Sequence, residues 1–388
     1  MVTIDMPGEV VLVLLDLSSA FDTINHSGLL ERLQSRYGIN GTALKWFESY
    51  LTNRKQQVLV KNCLSSDRSL VYGVPQGSVL GPLLFSLFFA PLEDVIASHG
   101  LDSMMYADDT QLYITIDSSM DRPALLTKLE LCVKDILVWC NANGLACNPD
   151  KTEVLHLSSR FATPNPIPGL NINGFTIQPT PDARDLGVII DSHLQMTKHV
   201  NNICKNAFLS IRNIGRLRKY LDQSTTEKLV HAFITSKLDS CNSLLAGLPD
   251  SELSKLQSVQ NTAARLVNRS KKCEHITPVL QRLHWLPVKA RIDFKILVLT
   301  YKALNNLAPD YISELFCPYL PSRPLRSADQ RLLATPRYNT KTYGARAFSV
   351  YAANAWNSLP LQIKKSETLN SFKSSVKTYL FRKFYQLE

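Results

Sequence analysis

Val10–Leu15 is an unbroken apolar run without polar alternation, the pattern of a strand buried on both faces. Asp16 ends it. From His26-Ser27 the spacing of Leu29, Leu30, Leu33 and Tyr37 predicts a helix that stops at Gly38, a natural residue just past a helix end. A second short helix is predicted from Thr42 to Leu51. Gln57–Lys61 and Ser69–Tyr72 alternate like the arms of a hairpin around Ser65-Ser66-Asp67. A buried helix is expected to open at Ser78 or at the Gly-Pro that follows and to run to about Ser98. Met104–Ala107 and Gln111–Ile116 read as short strands, which places Asp108-Asp109 at a hairpin tip. Leu125–Cys140 has helical apolar spacing and ends at Asn143-Gly144, and a strand near Thr152–Leu157 closes the region.

That order predicts an α+β fold, a small antiparallel sheet with helices on one face. Segment 161–181, rich in Pro, Asn and Gly, reads as a loop carrying a short hairpin. After Asp191 the pattern is helix upon helix, at about 193–221, 225–246, 251–269, 276–283, 289–306 and 368–385. Segment 317–340, with Pro318, Pro321, Pro324 and Pro336 among basic residues, is the expected linker. The division expected is 1–191, 192–272 and 273–388.

Charge changes this picture more than composition does. The chain carries +10 overall, but residues 1–160 hold 12 Lys+Arg against 18 Asp+Glu, while the remainder carries a net +16. An acidic front and a basic back point to a polyanion held mainly by the C-terminal half. The eight cysteines show no CxxC pair, which reads as intracellular use of reduced thiols rather than a disulfide framework. Cys273, His275 and His284 lack the paired spacing of a zinc site. Asp5 and Glu9 precede the first apolar run, unlike the cationic start of a signal peptide. Val79–Leu92 is broken by Gly81, Pro82 and Pro91 and falls short of the ~20 residues that span a bilayer. A soluble intracellular protein, nuclear or cytoplasmic, is the expectation.

Three carboxylates stand at special places: Asp16 closes a buried strand, and Asp108 and Asp109 sit at a hairpin tip. Crowded carboxylates need a compensating cation, and two Mg²⁺ ions, with Mn²⁺ as the alternative, suit oxygen donors that leave room for phosphates. An isolated Asp-Asp pair would more often cap a turn. Context decides otherwise. LLDLSSAFDTINH (Leu14–His26), GVPQGSVLGPLLF (Gly73–Phe85) and YADDTQLY (Tyr106–Tyr113) resemble, in order and spacing, the palm motifs of reverse transcriptases, most of all those of LINE-type (non-LTR) retrotransposons of the jockey superfamily. NGLACNPDKTEVLHL (Asn143–Leu157) and DLGVIID (Asp185–Asp191) resemble the two motifs that follow. HWLPVKARIDFKI and YGARAFSVYAANAWNSLP resemble C-terminal segments of the same elements, with no catalytic role implied.

The resemblance implies a polymerase palm over 1–191, a helical thumb over 192–272 and a helical extension. Asp16 and Asp108 would bridge two metals, with Asp109 as a secondary ligand and Leu17 lending a carbonyl. Phe21 would lie under the incoming sugar and exclude a 2′-hydroxyl by volume, where its bland alternative is core packing. Gly73, Pro75, Gln76 and Gly77 would form a loop whose backbone approaches nucleotide or template. Lys151 would sit near the triphosphate, unless it is a solvated surface lysine. Leu186-Gly187 would grip the primer end. Arg212, Arg216, Arg218 and Lys219, on a helix with apolar positions Ile203, Phe208, Ile211 and Ile214, and Arg265, Arg269, Lys271 and Lys272 on another, would track the phosphates of a template–primer duplex.

The resemblance also implies a fingers region and an endonuclease upstream, and nine residues before Val10 leave room for neither. The expectation is a C-terminal piece of a longer polyprotein that copies an RNA template onto a DNA primer with deoxynucleoside triphosphates. Its rival is an inactive nucleic-acid-binding remnant. An RNA-templated RNA polymerase would share the metal site, but Phe21 and the motif wording argue against it. No membrane partner is expected.

Overall fold

A computed structural model of the chain describes all residues except 6–7, 118, 149–150, 163–164, 173, 321–329 and 388, with residues 2–3 described by backbone alone. Contacts divide it into two compact units, Pro7–Gly187 with Asp191–His193, and Met1–Met6 with Val188–Ile190 and Leu194–Glu388.

The first unit is a mixed α+β structure around a small sheet. Its strands are β1 (Gly8–Leu15), β2 (Asp102–Tyr106), β3 (Asp109–Asp117), β4 (Glu153–Leu157) and β5 (Pro179–Thr180), in the spatial order β5-β4-β1-β3-β2. β1 lies at the centre, antiparallel to both β3 and β4. Val11, Val13 and Leu15 of β1 and Leu112, Ile114 and Ile116 of β3 alternate along their strands into one core. Leu12, of opposite parity, is buried as well, so the unbroken Val/Leu run does mark a strand covered on both faces. The expectation of an all-antiparallel sheet fails at one edge, where β5 runs parallel to β4. The excursion through 158–178, which includes the short hairpin Leu170–Ile172 with Phe175–Ile177, supplies the long crossover that parallel pairing needs.

Helices α1 (His26–Ser35), α2 (Gly41–Leu51), α3 (Gly81–Phe89), α4 (Leu92–Ser98) and α5 (Arg122–Ala142) complete the unit. Asn25 and Asp121 cap α1 and α5 by accepting from the amides of Gly28 and Ala124. The single helix expected up to Ser98 is two, because Pro91 cannot donate to the ladder and the chain re-initiates there. Taken together, Gly81–Ser98 is long and apolar enough for a membrane span by length and composition, which the shorter stretch Val79–Leu92 is not. Here Leu84, Phe85, Phe88, Phe89, Leu92 and Ile96 face the core instead. The hairpin expected around Ser65–Asp67 has a different register. Arg54–Gln56 pairs with Arg68–Leu70, Leu59–Val60 pairs with Cys63–Leu64, and the turn falls at Lys61-Asn62, both with positive φ. Asn tolerates that backbone region better than most residues.

The second unit is helical, with α6 (Thr197–Leu217), α7 (Asp250–Asn268), α8 (Val288–Leu304), α9 (Phe348–Asn357) and α10 (Leu369–Tyr385) as its longer helices. One core joins residues from Val188 to Leu380, and among the described residues no separate core marks off 273–388. On α6 the buried stripe is Val200, Ile203, Ala207, Ile211 and Ile214; Phe208, expected in it, is exposed. Helix α9 escaped the periodicity reading because nearly every position in FSVYAANAW is apolar or small, which leaves no polar face to set the phase. Of the expected linker 317–340, residues 321–329 lie outside the described residues. Its flanks are not free: Tyr319 donates its amide to Leu332, Ala334 donates to Cys317, and Leu333 is buried. The carboxylate of Asp5 accepts the amides of Asn339, Thr340 and Gly344, and a side chain at Gly344 would overlap it.

Candidate active site

Two strand registers assemble the site. The β1–β3 ladder pairs Leu15 with Thr110, so its next step sets Asp16 across from Asp109. The β1–β4 ladder pairs Leu14 with Glu153, so extending it brings Asp16 level with Lys151, whose Nζ lies 3.3 Å from Asp16 Oδ1. Asp108 occupies the β2–β3 turn with Ala107, which adopts positive φ. A small cavity is lined by Asp16, Asp109, Lys151, Asp185 and Leu186, among others. The structure thus brings Asp109, rather than Asp108, into the cavity with Asp16. Asp108 stays close enough for its charge to act on Asp109.

Partial desolvation, with Asp108 and Asp16 adding like charge, pushes the largely exposed Asp109 carboxyl above the ordinary carboxylate range. Asp185, absent from the residues singled out by sequence, is the missed member. Burial and the charge of Asp109 push its carboxyl up, against a 2.7 Å hydrogen bond from Gln111 Nε2. Its place at the head of the DLGVIID motif was the available signal. The buried Thr110 hydroxyl has no partner among the described residues. Lys151 balances part of this charge through Asp16, and it is more than half exposed. The oxygen-rich donor set is of the kind that suits hard cations. Among the described residues no three His, Cys, Asp or Glu side chains could hold an ion alone, so such an ion would need further oxygens from a ligand.

Leu17 pairs with Cys147 in a two-residue ladder, and the amide of Asn148 donates to the Asp16 carbonyl at 2.9 Å. That stitching fixes the strand end that carries Asp16. The Gly73–Gly77 loop is held in the same manner. Gly73 donates to Ile24, Val74 donates to Phe21, and the Gly73 carbonyl lies 2.7 Å from His26 Nε2. Gly73 has φ 84°, and an added Cβ would come within 2.9 Å of the Asp22 backbone, so glycine is required there. Pro75 is half-buried and Gly77 exposed. Gln76 is exposed but already engaged: its Nε2 donates to both Asp22 carboxylate oxygens, at 2.9 and 3.0 Å. Phe21 is half-buried and stacks on Phe85 with ring centroids 4.4 Å apart. Leu186 and Gly187 form a two-residue turn, both at positive φ. Phe21, Gln76 and Leu17 do not line the cavity.

In the second unit the basic residues separate into two kinds. Arg212, Arg216, Lys219, Lys271 and Lys272 are exposed. Arg218 is not available to a phosphate. It is buried, and its guanidinium donates to the carbonyls of Leu266, Val267 and Leu221, closing the C-terminal end of α7. Arg269, exposed and just past that helix end, donates to the carbonyls of Arg218 and Leu221, and Arg265 to that of Glu274. A helix end needing donors, not a nucleic acid, explains Arg218, while Arg265 and Arg269 bond backbone carbonyls outside that helix.

The family described as reverse transcriptase (RNA-dependent DNA polymerase) matches residues 3–213, more than half of the chain. A probable RNA-directed DNA polymerase from transposon BS of Drosophila melanogaster is 29% identical over 227 residues, 56% of this chain and 24% of that protein. The RNA-directed DNA polymerase from mobile element jockey of Drosophila funebris is 28% identical over 194 residues, 49% of this chain and 20% of that protein. The chain therefore spans about a quarter of the length of the curated relatives it matches. A solved apo telomerase from Candida tropicalis overlaps 47% of this chain and 34% of its own, at 11% identity and TM-score 0.35, too loosely to bear on function.

Proposed function

We propose that this chain, which belongs to the reverse transcriptase (RNA-dependent DNA polymerase) family, carries the nucleotidyl-transfer site of an RNA-directed DNA polymerase of a LINE-type retrotransposon. The observation that carries this reading is the double register at β1, which sets Asp16 between Asp109 and Lys151. In the reaction a primer 3′-hydroxyl attacks the α-phosphorus of a deoxynucleoside triphosphate and pyrophosphate leaves. Mg²⁺ ions held there would neutralise phosphate charge and make the hydroxyl more acidic. Asp16 and Asp109 would hold them, with Asp108 and Asp185 adding negative potential, and the triphosphate would complete the shell. Lys151 would exchange its contact with Asp16 for one to the departing pyrophosphate, to which it could give a proton. Phe21, braced by Phe85, would lie below the sugar. The palm is proposed for residues up to 191 and the thumb for the helices that follow. The exposed cations of α6 and of Lys271-Lys272 would hold an RNA–DNA duplex through its phosphates.

Primer extension on an RNA template tests this, with the chain alone and with an upstream segment supplied. Asp16→Asn should abolish extension, and extension at the wild-type rate would overturn the reading. A second reading, binding without synthesis, is favoured by one observation: the exposed basic face of the second unit does not involve the carboxylates at all. It predicts hybrid binding with no extension under either condition.

A further inference from the structure

HWLPVKARIDFKI, which the catalytic reading leaves unused, builds one wall of a second cavity of about 510 Å³, wholly within the second unit. Its size falls within the ~300–1,000 Å³ of small-ligand sites. Two buried polar atoms lack partners at this place. Trp285, 5% exposed, has no acceptor for its indole Nε1–H, and Asn242, 3% exposed, has no donor for its Oδ1, among the described residues. Both side chains line the cavity. A buried donor or acceptor left unmade costs about 1–3 kcal/mol, so a pair of them beside one cavity asks for a ligand with both an acceptor and a donor.

The surroundings narrow the ligand. The exposed His231 ring, packed at 5.4 Å and tilted on the buried Trp285, and the half-buried Phe294 line the cavity, which gives its wall aromatic character. His231 opens a π-type turn, His231–Thr235, a local widening of a helix often found at functional sites. Arg291 is spent on Asp239, but Lys295 and Lys377 at the rim are exposed and form no ion pair among the described residues. A nucleotide meets these demands together: a planar ring with an acceptor and a donor on its edge and an anionic group beside it. Further exposed cations on the same unit, Arg212 and Arg216 among them, favour a strand over a free mononucleotide.

We propose that this cavity holds one unpaired nucleotide of a single-stranded nucleic acid, its base edge at the Trp285 Nε1–H and Asn242 Oδ1 and its flanking phosphates at Lys295 and Lys377. The cavity shares no lining residue with the carboxylate cavity, so its test can be run on the full chain carrying Asp16→Asn. The probe is an end-labelled 12-nucleotide single-stranded RNA, with the same sequence fully base-paired as control, followed by fluorescence anisotropy. Trp285→Phe keeps an aromatic ring, smaller than the indole, and removes the N–H. It should weaken single-strand binding about 5-fold, the scale of one hydrogen bond, and leave duplex binding unchanged. Lys295→Ala with Lys377→Ala alters only exposed side chains and should keep the fold by circular dichroism. The pair should lower the slope of log affinity against log salt by about 1.4 for the single strand. Uridine monophosphate at millimolar concentration should compete weakly. Equal losses for single strand and duplex, or an unchanged salt slope in the lysine variant, would overturn the proposal. Binding of the mononucleotide as tight as that of the 12-mer would overturn the strand as its source.

Discussion

Asp109 is where the tension of the site concentrates. It meets Asp16 across the ladder and Asp108 along the chain, and the fold raises its proton affinity. Between the ordinary carboxylate pKa and the raised one, the folded chain binds more protons than the unfolded chain. The favourable contribution is complete below the ordinary carboxylate range and is lost as pH rises through the folded pKa. At pH 7 the ionised Asp109 therefore opposes folding. Asp109→Asn should raise the melting temperature slightly at pH 7, solvent screening of the largely exposed carboxylate keeping the gain small, and the gain should vanish below about pH 4. The same variant should lower primer extension by roughly 10²–10³-fold, the scale for removing one preorganised electrostatic partner of a transition state. Asp108→Asn should cost less, because the cavity is lined by Asp16 and Asp109. Thermal melting across pH beside extension rates checks both statements, and a destabilised Asp109→Asn chain at neutral pH would contradict the first.

At the level of elements, side chains that sequence assigns to ligands turn out to brace helices and loops. Phe21 is clamped by Phe85 of α3, so the sugar discrimination proposed for Phe21 depends on a second element. Phe85→Ala should raise ribonucleotide incorporation relative to deoxynucleotide as Phe21→Ala does, by no more than about 10–200-fold, since only volume discriminates. An unchanged ratio in both folded variants would return Phe21 to the core. Arg218→Ala should cost about 2–3 kcal/mol in stability by stranding the carbonyls at the end of α7, and a melting curve separates that from a weaker hold on phosphate. These residues also show what was legible beforehand. β1, the hairpin with Asp108-Asp109, α5 and α6 follow from local pattern, because a run or a period specifies its own burial. Asp16 and Asp108-Asp109 were legible as strand-end and turn carboxylates. Asp185 was not, since its nearness to Asp109 depends on an approach between segments distant in sequence. Arg218 could not be told from Arg216 either. One helical turn separates a solvated arginine from one turned onto backbone carbonyls, and Phe208 against Ile211 shows the same limit.

For the whole molecule, net charge divides much as the proposed labour does: residues 1–160 hold Asp16, Asp108 and Asp109, and the rest, Asp185 included, carries a net +16. A polyanion should be drawn to the second unit whatever becomes of catalysis, and its affinity should follow counterion release rather than sequence. Arg212 and Arg216 stand one turn apart on the exposed side of α6, away from its buried stripe, with exposed Lys219 three residues on. None of the three closes a helix end as Arg218 does. Replacing all three by Ala in the full chain should therefore leave the melting temperature within about 1–2 °C of wild type. Affinity for an RNA–DNA hybrid should fall by a similar factor for unrelated sequences, and the salt slope should flatten by about 2–3, since each phosphate no longer neutralised takes away roughly 0.7–0.9. Asp16→Asn should leave that binding intact or slightly tighter, because it removes a negative charge without touching the basic face. Titrations at several salt concentrations, with wild type, the triple variant and Asp16→Asn side by side, decide the matter. An unchanged slope in the triple variant would move the phosphate track off α6. Loss of binding in Asp16→Asn would instead tie binding to the carboxylate site and undo the separation of the two roles.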